Sequence, residues 1–219
     1  MAKTVDPVQP AYWTRAKRAL KQADPVLARI ITGHPRGALV PRGEPFFTLA
    51  RAIVGQQISV KAANAVWSRV LQSCPDLTPP AVLRKRATTL RGCGLSERKV
   101  EYLRDLAQHF DSERIDPSML QSSSDEEVIE RLTAVRGIGR WTAEMFLIFN
   151  LLRPDVLPLD DLGLLKAISF HYMDGEPVER LNTRAGRARI TQLAQNWAPW
   201  RSVATWYLWR SLESLPVSN

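Results

Sequence analysis

Two adjacent carboxylates, Asp160 and Asp161, stand in the stretch Asp155-Val-Leu-Pro158-Leu-Asp160-Asp161-Leu-Gly163. A proline-containing loop runs into them, and helical patterning resumes at Asp161. A carboxylate held there could stabilise positive charge developing in a transition state and could orient a water molecule. The same position suits an ordinary helix N-cap, a role aspartate often fills. For a partly buried carboxylate the two roles can coexist.

A second segment with chemical potential is Leu132-Thr-Ala-Val-Arg-Gly-Ile-Gly-Arg-Trp-Thr-Ala143, which ends shortly before the carboxylates. Two helical patterns flank Gly137-Ile138-Gly139. Glycine permits positive φ and lets the backbone come close to a ligand. The second helix begins here, so its unsatisfied N–H groups lie beside the positive end of the helix dipole. That arrangement suits a phosphate, and Arg136 and Arg140 add charge. A turn between two packed helices also needs glycine for structural reasons, so the short motif alone leaves both readings open.

Other reactive residues point nowhere in particular. His34, His109 and His171 are scattered without zinc-ligand spacing. Cys74 and Cys93 make neither a disulfide framework nor a CxxC pair, and two cysteines cannot hold a four-cysteine iron–sulfur cluster. Lys and Arg number 30 against 22 Asp and Glu, a net charge of +8 that favours a polyanionic partner. No run reaches the roughly 18 to 20 apolar residues that span a bilayer. Met1 to Pro7 lacks the apolar core of a signal peptide. A cytosolic protein, or one in the compartment that holds DNA, is expected.

The elements that must position these residues read as helices throughout. The expected helices cover Ala11–Ala23, a segment opened by Asp24-Pro25, and a run of Phe46, Leu49, Ala50, Ile53 and Val54 ended by Gly55. Ser59 caps a helix with the stripe Ala62, Ala63, Val66, Trp67, Val70 and Leu71. Pro75 to Pro80 is expected to be loop. Ser96 opens a helix carrying Val100, Leu103, Ala107 and Phe110, and Ser124 with Glu127 fits a capping box. Arg140–Phe149 resumes the pattern, and helices from about Asp161, Asn182 and Pro199 complete an all-α chain.

The hairpin, the downstream aspartate and the segment Ala52-Ile-Val-Gly-Gln-Gln-Ile-Ser-Val-Lys-Ala62 together resemble the helix-hairpin-helix DNA glycosylase superfamily, specifically its alkylbase (3-methyladenine type II) branch. The resemblance runs from roughly residue 12 to residue 212. It implies one domain of two lobes, the hairpin lobe covering about 46–155 and the other built from about 11–45 and 156–212, with DNA across the cleft between them. Counting from Trp141 without a gap, the family's catalytic aspartate falls on Asp161, which would stabilise the oxocarbenium-like sugar as an N-glycosidic bond breaks. Asp160 would cap or orient the loop.

The resemblance further implies that Trp141 and Trp209 line the pocket for a flipped base, and that cation–π stacking favours an alkylated, cationic base. Gly137, Ile138, Gly139, Arg140 and Thr142 would contact DNA, as would Ser59 and Gln57. Gln57 would fill the hole left by the flipped nucleotide, although a polar turn residue between two helices is an equal reading of it. A monovalent cation could sit on the backbone carbonyls of Thr133, Val135 and Ile138, and no other cofactor is implied. The expected partner is double-stranded DNA carrying a damaged base, bound by a monomer, at the nucleoid of a bacterium or in a eukaryotic nucleus. Relatives with lyase activity carry lysine where this chain has Trp141, because an amine must attack C1′. A DNA-binding module using the hairpin for phosphate contact alone is the competing class.

Overall fold

Every regular element of the computed structural model, which describes residues 9–213, is helical, and capping chemistry accounts for where most helices begin. The chain divides into two compact units, one formed by residues before and after a central unit, Arg42–Leu151. Residues Met1 to Pro7, read above for a signal peptide, lie outside the described residues. Among the described residues no helix is long and apolar enough to cross a membrane.

The discontinuous unit opens with α1 (Trp13–Ala23) and α2 (Pro25–Gly33). The buried Asp24 caps α2: one oxygen accepts from the Val26 and Leu27 N–H groups at 2.8 and 3.0 Å. The other accepts from the Tyr172 hydroxyl and the Trp197 indole at 2.9 and 2.8 Å. Four donors therefore offset the desolvation of one buried charge. Burial, and then the Asp24 charge, push the Tyr172 pKa up and keep its hydroxyl a donor. The chain returns to this unit for α11 (Leu162–Tyr172), α12 (Val178–Leu181), α13 (Arg184–Leu193) and α14 (Arg201–Glu213). Helix α14 packs on α11, α2 and α1, burying Trp13, Leu27, Ile31, Ile168 and Tyr207.

The central unit holds α3 (Pro45–Gly55), α4 (Val60–Ser73), α5 (Pro79–Arg84), α6 (Ala87–Gly92), α7 (Glu97–Asp111), α8 (Pro117–Leu120), α9 (Asp125–Thr133) and α10 (Arg140–Phe149). Ser59 and Ser96 cap α4 and α7, and Ser124 and Glu127 form the reciprocal capping box of α9. Helix α7 lies against α3 and α5, with α9 on α10, around Phe46, Ile53, Leu103, Leu106, Leu132 and Leu147.

One expectation needs correction. The stretch Pro75 to Pro80 is not all loop, because Pro79 occupies the first helical position of α5, where a missing N–H costs nothing. The helix expected from about Asn182 is α13, which Thr183 caps by accepting from Gly186 N–H, and Asn182 ends the short α12 before it.

Candidate functional site

The hairpin turn has the torsions its sequence allows. Ile138 N–H donates to the Val135 carbonyl at 3.1 Å, and Gly137, third residue of the turn, has φ +82. This is the type II pattern, which favours glycine at that position. The packing demands glycine there as well, since a Cβ would fall into the Tyr102 ring of α7. Gly139 is different. Its φ is −92, a Cβ there would meet nothing within 4 Å, and no side chain caps α10. The fold itself does not require glycine at 139, so the bare backbone there faces outward at the start of a helix.

Of the other hairpin residues, Ile138 is buried and Thr142 half-buried. Trp141 is 44% exposed at the second position of α10. The Arg140 guanidinium is held by Glu126 at 2.6 and 3.1 Å and by Glu144 at 3.1 Å. These carboxylates, Glu126 first, raise the pKa of Arg140, and the guanidinium in turn lowers that of Glu126. Exposed pairs contribute only about 0–1 kcal/mol, so Arg140 can exchange Glu126 for a phosphate at little cost. At the carbonyls suggested for a cation, Val135 already accepts the Ile138 N–H, and Thr133 Oγ1 donates back to Ile129 and Glu130. Among the described residues no cluster of His, Cys, Asp or Glu could hold a metal ion.

The turn between α3 and α4 is held in an unusual conformation. Gln56 has φ −57 and ψ 133, and Gln57 has φ +56, left-handed without being glycine. That conformation costs roughly 1–2 kcal/mol for a residue with a Cβ. Lys99 of α7 offsets it by donating to the Val54 and Gln56 carbonyls at 2.8 and 2.7 Å. Charge-assisted bonds of this kind contribute about 1.5–3 kcal/mol. Burial lowers the Lys99 pKa from the usual lysine value. Gln57 and Ser59 are exposed, as are the apolar Ile58 at 39% and Val60 at 78%.

Asp161 lies in the other unit, 8% exposed, at the N-cap of α11. Its Oδ1 accepts from Leu164 N–H at 2.6 Å and from the Trp209 indole N–H at 2.7 Å. Gly163 makes room for this contact: a Cβ there would sit 3.0 Å from the indole and 3.1 Å from the carboxylate. The preceding loop is pinned along its length. Tyr12 donates to the Leu152 carbonyl, Arg201 forks onto Asp155 at 2.7 Å twice, and Ser202 bonds both Pro154 and Val156. Asp160 instead pairs with Arg187 on the surface. One carboxylate is thus buried and oriented, and its neighbour is solvated and neutralised.

A family model described as HhH-GPD superfamily base excision DNA repair protein matches residues 50–187, spanning the Gln57 turn, the hairpin and Asp161. The chain belongs to the HhH-GPD superfamily. Within it, the chain is 34% identical over 190 residues to DNA-3-methyladenine glycosylase 1 of Schizosaccharomyces pombe, covering 84% of this chain and 80% of that protein. Among solved structures it is similar to a DNA-3-methyladenine glycosidase from Bacillus halodurans, with 36% identity, a TM-score of 0.80, and coverage of 90% and 88%. It also matches the S. pombe 3-methyladenine DNA glycosylase in complex with abasic DNA, at 32% identity, a TM-score of 0.76, and coverage of 94% and 100%. The all-α fold is that of helix-hairpin-helix glycosylases.

Sequence reasoning missed the residues that hold the two turns: Gln56, Lys99, Tyr102 and Asp105. Their only sequence signal is the spacing of 99, 102 and 105, which puts three non-aliphatic side chains on one side of α7.

Proposed function

We propose that the chain is a monofunctional DNA glycosylase that hydrolyses the N-glycosidic bond of flipped alkylated purines. The observation carrying this reading is the buried Asp161 carboxylate, oriented through one oxygen by the Leu164 and Trp209 N–H groups. A fixed anion needs no reorganisation when positive charge appears on the sugar. The C1′–N bond breaks with its electron pair leaving on the base, and an alkylated purine that is already cationic departs neutral. Water then adds to C1′, its proton passing to Asp161 or to solvent, and the products are a free base and an abasic strand.

Duplex DNA with a damaged base is the partner, engaged by the Gly139 backbone, Arg140 and the Gln57 turn, with Trp141 and Trp209 offered to the base. Trp141 presents an indole where an amine would be needed for a Schiff base, which supports hydrolysis without strand cleavage. The site of action is wherever the DNA is kept, nucleoid or nucleus.

The test is chromatography of bases released from methylated duplex DNA, followed by treatment of the product strand. Free methylated bases, strand breaks only after alkali or heat, and no borohydride-trapped adduct are expected. Efficient borohydride trapping would replace the hydrolytic reading with a lyase, and no released base would leave the DNA-binding module.

A further inference from the structure

Three side chains of α7 reach both turns that the proposed function assigns to DNA. Lys99 Nζ donates to the Val54 and Gln56 carbonyls at 2.8 and 2.7 Å. The Tyr102 ring lies against Gly137, and Asp105 Oδ2 accepts the Arg136 N–H at 2.8 Å. A direct strut completes the set: Gln56 Nε2 donates to the Gly137 carbonyl at 2.8 Å. The contribution of α7 to the core comes from Val100, Leu103, Leu106 and Ala107, which need none of these polar groups.

The position of the Lys99 ammonium has a conformational consequence. In a type II turn the carbonyl of the second residue points to the side opposite its direction in a type I turn, and the third residue takes positive φ. Gln56 and Gln57 occupy those two places. An ammonium on the Gln56 carbonyl therefore selects type II over type I, and that choice sets the direction of the exposed Gln57 side chain. Without it, the 56–57 peptide can flip and return Gln57 to the right-handed region, where a Cβ is relaxed.

We propose that Lys99 is a positioning residue for base flipping. It holds the Gln57 turn in its left-handed state, while Tyr102 and Asp105 fix the hairpin turn from the same helix, so that both turns meet DNA as one preset body. This rests on the reading of both turns as DNA contacts. It adds a specific division of labour: the Lys99 end governs the excision step and the Asp105 end governs affinity.

The experiment compares the full-length wild type with Lys99→Met and Asp105→Ala in three measurements. These are amide hydrogen exchange over residues 54–59, the first-order rate of base release from dimethyl sulfate-treated duplex at saturating protein, and Kd for undamaged duplex. Lys99→Met should speed exchange over 54–59 alone and lower the rate about 10-fold or more, as small misplacements of positioning groups do. Its Kd should stay within about twofold, because Asp105 still holds the phosphate-contacting turn. Asp105→Ala, which removes the acceptor of the Arg136 N–H, should show the reverse split, a weaker Kd with a saturating rate within about twofold of wild type. Lys99→Gln, which keeps one neutral donor, should fall between and serves if Lys99→Met does not fold.

Wild-type exchange and rate in Lys99→Met would overturn the proposal. So would equal losses of rate and affinity with faster exchange throughout, which mark a merely structural lysine. If the wild type releases no base, the glycosylase reading fails, and exchange over 54–59 still decides whether Lys99 sets the turn.

Discussion

Gly139→Asp should move stability and DNA binding in opposite directions. Position 139 is the N-cap of α10, with φ −92 and ψ 172, no side-chain cap, and open space where a Cβ would go. Aspartate fits that geometry and can accept from the N–H groups of the first turn. Replacing glycine by aspartate at an N-cap gains a few tenths of a kcal/mol. The charge beside the helix dipole adds about 0.3–1 kcal/mol. Glu126 and Glu144, both on Arg140, offset a little of this. A net gain of about 0.5 kcal/mol corresponds to a rise of roughly 1–2 °C in Tm for a chain of this size. Against DNA the sign reverses. A carboxylate about 5 Å from a phosphate is repelled by about 3 kcal/mol at an effective dielectric near 20, less after salt screening. Kd for undamaged duplex should rise about 10- to 100-fold. Thermal melting and fluorescence anisotropy at fixed salt measure the two effects. A raised Tm with unchanged Kd would refute the assignment of the Gly139 backbone to phosphate.

Gly137→Ala should instead destabilise, by about 2–5 kcal/mol, because a methyl group meets the Tyr102 ring in a left-handed conformation; denaturant melts read this directly. Trp209→Phe keeps the ring but removes the N–H from Asp161, and should lower single-turnover excision about 10- to 100-fold while leaving Kd for undamaged duplex unchanged; an unaltered rate would show that the Leu164 N–H alone orients the carboxylate. Affinity for undamaged duplex should fall steeply between about 50 and 200 mM salt, and a flat dependence would argue against a phosphate interface. Burial, with Arg29 nearby, depresses the His171 pKa, so below about pH 6.5 the unfolded chain binds the extra proton and stability falls as pH drops towards the lower folded value. Melts at pH 7.5 and 5.5 should show this loss, reduced in His171→Gln.

What was legible in the sequence was local. The capping box of Ser124 and Glu127, the serine caps at 59 and 96, and the Asp24-Pro25 helix start each depend on residues within one helical turn, and each formed as its spacing implies. Elements of four to six residues, such as α6 and α12, are too short to show a period, and Pro79 looks the same in a loop as at a helix start. The carboxylate at 161 could be read as an N-cap, and the structure bears that out. Its indole partner, 48 residues downstream, could not be read, because nothing at Trp209 distinguishes an N–H aimed at Asp161 from a ring in the core. Lys99 is harder still. Its acceptors are backbone carbonyls 43 and 45 residues away, and a carbonyl has the same chemistry under any side chain.

The central claim is that the Asp161 charge drives base release, and the most direct measurement is single-turnover excision from methylated duplex by Asp161→Asn beside Asp160→Asn. The amide is nearly isosteric and can still accept the Leu164 and Trp209 N–H groups, so the fold and Kd for undamaged duplex should persist. Only the negative charge is lost, and the rate should fall about 10²- to 10³-fold or more. Asp160→Asn, which gives up a surface pair with Arg187, should stay within about threefold of wild type. Excision by Asp161→Asn at near the wild-type rate, with the loss appearing in Asp160→Asn instead, would contradict the account.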